Sequence, residues 1–474
     1  MADFLDACIV SSPLALTESW FNRLPASQRR ADERYVLQPG GNFRFAIRPL
    51  AQAGGGRLAE RCLDLLEVAA AVYLTDQLVR RPSLLVGARR IALHVHLRNP
   101  EAFEEEKAAL EAALLFLSRD HWALKFHSRA ASPSWEETLS ADPVRTLPEA
   151  DSVCLFSGGL DSLAGSLHLY QDGRKPVLLS HSRSWKSRQR KIHEKLAGVT
   201  AQPLVQFDTG FDNRGAPAER RLHRNDTSQR VRAFLYLAAA AALARALDLR
   251  DVFICENGPL ACAVPAQPHL VPTRHAHPHV LGLLELFFSH VLEQPIRLHN
   301  PFLLLTKGQA LAKVSATLRK HALEEAITST VSCWQYFARL LDIKPPNLAC
   351  GACVPCLVRR SALHRAGFSD SDADVWLRLE EAPGRLAASF AGHGKDREAA
   401  VRGEERVRRA WLAFHRLDAT LGRLGSNGVF FGLPEAGELL RRPGLRELEA
   451  GWRVKLPAMY REFTKEFRER FPLP

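Results

Sequence analysis

Two short stretches of this chain concentrate the residue types that chemistry needs. The first is Ser157-Gly158-Gly159-Leu160-Asp161-Ser162, which directly follows the apolar run SVCLF and directly precedes a stretch of helical periodicity. Glycines there let the backbone turn tightly and approach a ligand closely. The helix start behind them offers unpaired N–H groups and a positive dipole end to phosphate oxygens. The segment reads as an anion cradle, although no G-x-x-x-x-G-K-[ST] of the Walker A type is present. A plain glycine turn would explain the glycines but not the Asp161-Ser162 pair at the helix start. The second stretch is Cys333 followed, after sixteen residues, by Cys350-Gly351-Ala352-Cys353-Val354-Pro355-Cys356. Four thiolates, three of them at two-residue gaps in a Gly/Pro turn, can converge tetrahedrally on Zn²⁺ at about 2.3 Å. A closed set of four leaves no position for water, so the zinc would be structural. Three equally spaced cysteines would be an odd way to build a redox pair.

These residues need elements to position them. Between 152 and 320 the short apolar runs SVCLF, PVLLS, PLVQF and DVFIC alternate with helical stretches such as RQRKIHEKLAG and RVRAFLYLAAAAALARAL. That alternation predicts an α/β fold with a parallel sheet covered on both faces and a ligand site beyond the carboxyl ends of the strands. Residues 1–127 read as a small N-terminal α+β domain, with DLLEVAAAVYLTDQLVRR as a helix and IALHVHL and HWALKFHSR as alternating strands. Residues 128–150 have the Pro/Ser/acid mixture of a linker. The core spans 151–369 with the zinc site at 333–356, and 370–474 forms an Arg/Glu/Leu-rich helical extension with no recognisable chemistry.

Composition narrows the class. The chain has 474 residues, 46% hydrophobic and 24% charged, which excludes disordered, collagenous and membrane-spanning proteins. Lys and Arg outnumber Asp and Glu by 64 to 52, a net charge of +12, so a polyanionic ligand is plausible and nucleic acid is possible without being implied. The nine cysteines are an odd number, five of them scattered through apolar stretches, which is no secreted disulfide framework. The N-terminus carries acids where a signal peptide needs basic residues, and the longest apolar stretch, Ala233 to Ala244, is shorter than the roughly 20 residues a bilayer requires. A cytoplasmic protein with no membrane partner is expected.

Further candidates follow from placement. Glu256 and Asn257 follow the strand DVFIC, at its carboxyl end, where a carboxylate and an amide suit the edge of a purine-like base; a strand-ending turn capped by Asn257-Gly258 is the plain alternative. Arg274, His275 and His277 lie in a Pro-rich loop that could bring a cation to a carboxylate or to phosphate charge. Lys307 starts a helix and could reach pyrophosphate; Arg230 and Arg232 could face phosphate or solvate a helix start. The basic run from Arg183 to Lys191, with Trp185 inside it, suits single-stranded nucleic acid or a helix start near a nucleotide.

The first stretch resembles the PP-loop, SGGxDS, of the ATP pyrophosphatases. The resemblance implies cleavage of ATP between its α- and β-phosphates, with Mg²⁺ screening the phosphates and Asp161 near the metal. With the second stretch, Thr330-Val331-Ser332-Cys333 and CGACVPCLVRR, the chain resembles the QueC-like proteins, the 7-cyano-7-deazaguanine synthases. Val231 stands where that family has Asn, and Ser180-His181-Ser182 where it has a Phe-Asp. Glu256-Asn257-Gly258, the segment 272–278, and Asn300-Pro301-Phe302 leading to Thr306-Lys307-Gly308 are similar to the QatC branch of bacterial antiviral defence operons. What this implies is adenylylation of the carboxylate of 7-carboxy-7-deazaguanine, then amide formation with an amine, making the chain an ATP-dependent C–N ligase that releases AMP and pyrophosphate. Ser157, Gly158, Gly159, Asp161, Ser162 and Arg230 would hold ATP and Mg²⁺. Asp161, Ser162, Arg274 and Lys307 would be catalytic, with Glu256, Asn257, Arg274 and His277 on the substrate. In the antiviral branch the acceptor would be a protein from the same operon, and a homodimer is left open. With ammonia in place of the protein amine, a second adenylylation would dehydrate the amide to the nitrile. A tRNA-thiolating enzyme using Cys255 or Cys262, and a non-enzymatic zinc and nucleic-acid scaffold, are the rival readings.

Overall fold

The computed structural model describes residues 5–12, 20, 22–56, 58–81, 89–129, 147–182, 186–214, 216–226, 229–262, 274–333, 349–369, 401, 405, 408–409, 411–415 and 445–471. Most of the expected linker at 128–150, Arg183 to Trp185 of the basic run, and residues 370–400 lie outside them.

The central sheet is built from β6 (Ser152–Leu155), β7 (Pro176–His181), β8 (Leu204–Phe211), β9 (Asp251–Phe253) and β10 (Arg297–His299), in the order β10-β9-β6-β7-β8, all parallel. Alternate residues of each strand go to opposite faces. Val153, Val177, Leu179 and Val252 join one apolar cluster, whereas Cys154, Leu178 and Phe253 join the other. Both faces are dry, which is why the strands read as continuous apolar runs. Helices α3 (Leu160–Gln171) and α7 (Lys307–Lys320) cover the second face; α5 (Arg232–Ala246) and α6 (Pro278–Val291) cover the first. The chain runs outward from β6 to β8, then returns to lay β9 on the other flank of β6. The strand order therefore switches between β6 and β9, and the crevice at their carboxyl ends is where such sheets bind ligands.

The N-terminal block differs from expectation in two respects. Its strands β1 (Leu5–Ser11), β2 (Glu33–Leu37), β4 (Arg89–Leu97) and β5 (His121–Ser128) form a second sheet, β2-β1-β4-β5, that is parallel throughout, an α/β arrangement rather than a segregated α+β one. And β3 (Phe43–Ala46) leaves that sheet to pair antiparallel with β8 at the edge of the central one. One apolar cluster joins both sides of residue 127. It includes the helix α1 (Glu60–Leu78), in which Cys62 through Leu78 are all buried, and the alanines 238–242 of α5, whose small side chains admit another helix at close range.

A helix buried all round carries its charges inward, and they must be paired. Asp76 of α1 and Asp120, just past α2 (Lys107–Ser118), share two guanidinium groups: Arg81 Nη2 at 2.6 and 2.7 Å, and Arg89 Nη2 at 2.6 Å to each. Burial alone would raise Asp76, but Arg81 and Arg89 hold it down to about 2. On the N-terminal sheet, His94 and His96 each stack on His127, and all three meet Trp20 edge-on or tilted, with ring centroids 5.1 to 5.7 Å from the indole. Among the described residues no helix is long and apolar enough to cross a membrane.

Arg89→Met removes a cation shared by two buried carboxylates and should lower the unfolding free energy by about 3–5 kcal/mol in a denaturant titration; a loss under about 1 kcal/mol would mean the carboxylates are satisfied without it. Burial and the neighbouring imidazoles push His94 and His96 down from 6.5 to about 4. The unfolded chain therefore binds more protons below pH 6.5, and stability should fall as pH drops from about 6.5 through 4, less steeply in a His94→Gln, His96→Gln variant.

Candidate active site

The loop after β6 is set by backbone geometry. Phe156 extends the pairing by donating its N–H to the Leu179 carbonyl at 2.7 Å, and the chain then turns through Gly158 at φ +75°, a conformation that side chains rarely adopt. A Cβ on Gly158 would also lie 3.2 Å from Gln189 Cγ. Gly159 caps α3, its N–H donates to Ser157 Oγ at 3.2 Å, and Ser162 Oγ donates to the Gly159 carbonyl at 2.9 Å. Helix α4 (Lys186–Thr200) locks the turn through Gln189, whose amide donates to the carbonyls of Ser157 at 3.3 Å and His181 at 3.2 Å. Gln189 sits in the basic run yet is itself buried, and a lone amide among cations was the only sequence sign of it.

Three strand ends converge on Asp161. Lys307, eight residues past the end of β10 and the first residue of α7, pairs with its carboxylate. Asn257, past the end of β9 and fully buried, donates its amide to both carboxylate oxygens of Asp161 at 3.3 Å and to Glu256 Oε1 at 2.8 Å. His275 Nε2 meets Glu256 Oε2 at 2.7 Å, and Asn300 holds Glu256 by donating to its carbonyl at 2.9 Å. The two carboxylates divide the roles. Burial raises Asp161 against the pull of Lys307, and the charge of Glu256 adds to the rise; Glu256 stays ionised despite burial, through His275 and Lys307. A pair of carboxylates beside a glycine turn at a helix start fits Mg²⁺, which is commonly held by one or two carboxylates together with substrate phosphates.

Other predicted residues are placed elsewhere. Arg230 is buried and donates to the Ser118 carbonyl at 3.0 Å, beside the Asp76 and Asp120 network, so its contacts run to the N-terminal block. His277 caps α6, accepting from His279 N at 3.2 Å, and packs 4.8 Å from the Phe116 ring; burial pushes it down to about 3, so it is neutral. Arg274 lies over the same ring at 4.8 Å. Among the described residues of this loop, His275 reaches the cluster. Cys255 packs against Gly165 and Cys154, Cys262 lies in the apolar cluster at the C-terminus, and burial pushes the Cys262 thiol up to about 12. Neither is an exposed thiolate of the kind sulfur transfer requires.

The Sγ atoms of Cys333, Cys350, Cys353 and Cys356 all lie within 4.8 Å of one another. Separations of 3.4, 3.8 and 3.9 Å are close to the roughly 3.8 Å edge of a tetrahedron with 2.3 Å Zn–S bonds. Backbone N–H groups of Cys350 and Cys353 donate to the sulfurs of Cys333 and Cys350 at 3.3 and 3.2 Å, as expected around thiolates. The donor set fits a structural zinc. It also abuts the loop: a Cβ on Gly159 would lie 3.7 Å from the Val331 carbonyl and 3.9 Å from Ser332 Oγ.

No protein-family model matches the chain, and no solved structure matches it. Among curated proteins it is 26% identical over 239 residues to the 7-cyano-7-deazaguanine synthase of Solidesulfovibrio magneticus, an alignment covering 46% of this chain and 93% of that protein. It is 24% identical over 232 residues to the 7-cyano-7-deazaguanine synthase of Citrifermentans bemidjiense, covering 46% and 95%. The chain is QueC-like. Its QueC-like portion accounts for somewhat under half of its length, and the rest lies outside those alignments.

Elemental analysis of the purified QueC-like chain should find about one zinc per molecule, and Cys353→Ser should lose it together with part of the thermal stability. Full zinc occupancy in that variant would remove Cys353 from the ligand set.

Proposed function

We propose that the protein is an ATP-dependent C–N ligase that activates the carboxylate of 7-carboxy-7-deazaguanine as an acyl-adenylate and transfers the acyl group to an amine. A carboxylate is a poor electrophile and its oxygen a poor leaving group. Attack of that oxygen on the α-phosphorus expels pyrophosphate; attack of the amine on the acyl carbon then forms the amide and releases AMP. The observation that carries the reading is the meeting of Asp161, Asn257, Glu256 and Lys307 beside the SGGLDS turn at the switch of strand order.

In this mechanism the turn and the start of α3 bind phosphate oxygens through backbone N–H groups, and Ser157, exposed at the turn, adds a hydroxyl. Lys307 moves from Asp161 to the pyrophosphate as it leaves. Asp161 and Glu256 would hold Mg²⁺, which when bound screens the triphosphate charge. Asn257 orients both carboxylates.

The amine belongs to a partner polypeptide in the reading favoured here, because over half of this chain lies outside the alignments with the synthases and the N-terminal sheet is built onto the core as one packed body, available to hold a partner. The names of the relatives favour a second reading, in which ammonia attacks, the amide oxygen is adenylylated by a second ATP with release of pyrophosphate, and loss of AMP and a proton gives the nitrile.

Incubation with ATP, Mg²⁺ and 7-carboxy-7-deazaguanine, with ammonium or with a polypeptide encoded beside the protein, should yield AMP, and mass spectrometry identifies the product. A mass increase on the polypeptide supports conjugation; free nitrile with an unmodified polypeptide supports the second reading. Asp161→Ala and Lys307→Ala should each reduce AMP formation by about 100-fold or more. No AMP from the wild-type chain with this acid would sink the assignment.

A further inference from the structure

The C-terminal segment carries no recognisable chemistry in its sequence, yet it reaches the candidate site from behind. Helix α9 (Leu445–Arg470) docks on α8 (Val354–Arg365), the helix that begins at the cysteine cluster. Met459, Tyr460, Phe463 and Phe467 share an apolar cluster with Leu357 and Val358 of α8.

What α9 delivers is a buried carboxylate. Glu466 is 1% exposed, and its Oε1 accepts a hydrogen bond from Thr306 Oγ1 at 2.6 Å; Arg365 Nε stands 3.7 Å from the same oxygen. Thr306 is the N-cap of α7. Its Oγ1 accepts from Gln309 N at 3.0 Å, and Gln309 Oε1 accepts from Thr306 N at 2.9 Å, a complete capping box. A hydroxyl has one proton and a free rotor. Glu466 accepts the hydrogen bond made by that proton and so turns the lone pairs of Oγ1 toward the Gln309 N–H. The next residue is Lys307, the partner of Asp161.

The glycines confirm how tight the docking is. A Cβ on Gly308 would lie 2.8 Å from both Arg365 Cγ and Glu466 Oε2, and one on Gly258 would lie 2.1 Å from Met459 Sδ and 2.3 Å from the Leu303 carbonyl. These glycines directly follow Lys307 and Asn257, the two residues that hold Asp161. The same helix therefore sits against both.

We propose that Glu466 is a positioning residue for Lys307, acting through the Thr306 cap, and that α9 is thereby part of the catalytic unit. The role in turnover rests on the function proposed above; the role in holding the start of α7 does not. Two measurements on the full chain separate them. In Glu466→Ala, hydrogen–deuterium exchange at the first-turn amides of α7 should speed up about tenfold, the effect of losing one buried hydrogen bond. The kcat for AMP formation should fall by about the same factor with KM for ATP changed less than about twofold, since ground-state binding by the loop is intact. Glu466→Gln keeps an acceptor for Thr306 and should retain wild-type values in both. Glu466→Asp leaves the helix seam untouched but withdraws the acceptor by one methylene, and should shift both readouts in the direction of alanine, which keeps the test usable if Glu466→Ala folds poorly. Unchanged exchange in the Ala and Asp variants, or a Gln variant as damaged as Ala, would overturn the proposal. A wild-type chain that makes no AMP would instead overturn the function and leave the exchange comparison to decide this point.

Discussion

A carboxylate held out of bulk water at the first turn of a helix is tolerable only when its charge is met from several sides, and Asp161 is in that position. Lys307 supplies the opposite charge, and Asn257 supplies two N–H donors that also restrain the adjacent Glu256. Asp161 and these partners come from three different strand ends, β6, β9 and β10, so the cluster can form only if the three strands are neighbours. The reversal of strand order beside β6 is what makes them so. The chemistry of the site and the topology of the sheet are one constraint seen from two sides.

The same reasoning explains the N-terminal block. Helix α1 is buried on all faces because it packs against the alanine-rich α5, and its carboxylates therefore point into protein. Each is answered by arginine: Asp76 by Arg81 and Arg89, Asp64 and Glu67 by Arg98, Glu67 again by Arg129. Arg230, at the entrance to α5, is drawn to this network. Arg81, Arg89, Arg98, Arg129 and Arg230 are matched by as many carboxylates, Asp64, Glu67, Asp76, Asp120 and Asp226, so this network accounts for none of the net charge of +12.

The cysteine cluster and the SGGLDS turn are far apart in sequence and adjacent in space. The strand of chain that leads to Cys333 lays the Val331 carbonyl and Ser332 against Gly159, and Cys356 Sγ contacts the Ser332 carbonyl at 3.9 Å. A metal that closes the four sulfurs would stiffen this wall of the cradle. Helix α8 continues from the cluster to α9, so cluster, cradle and C-terminal helix form a continuous chain of contacts.

What was legible in the sequence was local. A glycine turn between an apolar run and a helix, cysteines at two-residue gaps, and apolar runs alternating with helices each declare a backbone shape within a few residues, because the signal and the structure it specifies occupy the same segment. So the turn, the sulfur cluster, the parallel central sheet and the positions of Asp161, Glu256, Asn257 and Lys307 at strand or helix ends were readable. Partner choice was not. That His275 rather than His277 reaches Glu256, that Arg230 faces Asp76 and Asp120, that Gln189 locks the loop, that β3 joins the central sheet and that Glu466 sits on the Thr306 cap were all decided by the tertiary structure. Each pairs residues from separate elements, most of them far apart in the sequence, and a side chain's partner is set by which elements pack together, which no local pattern records.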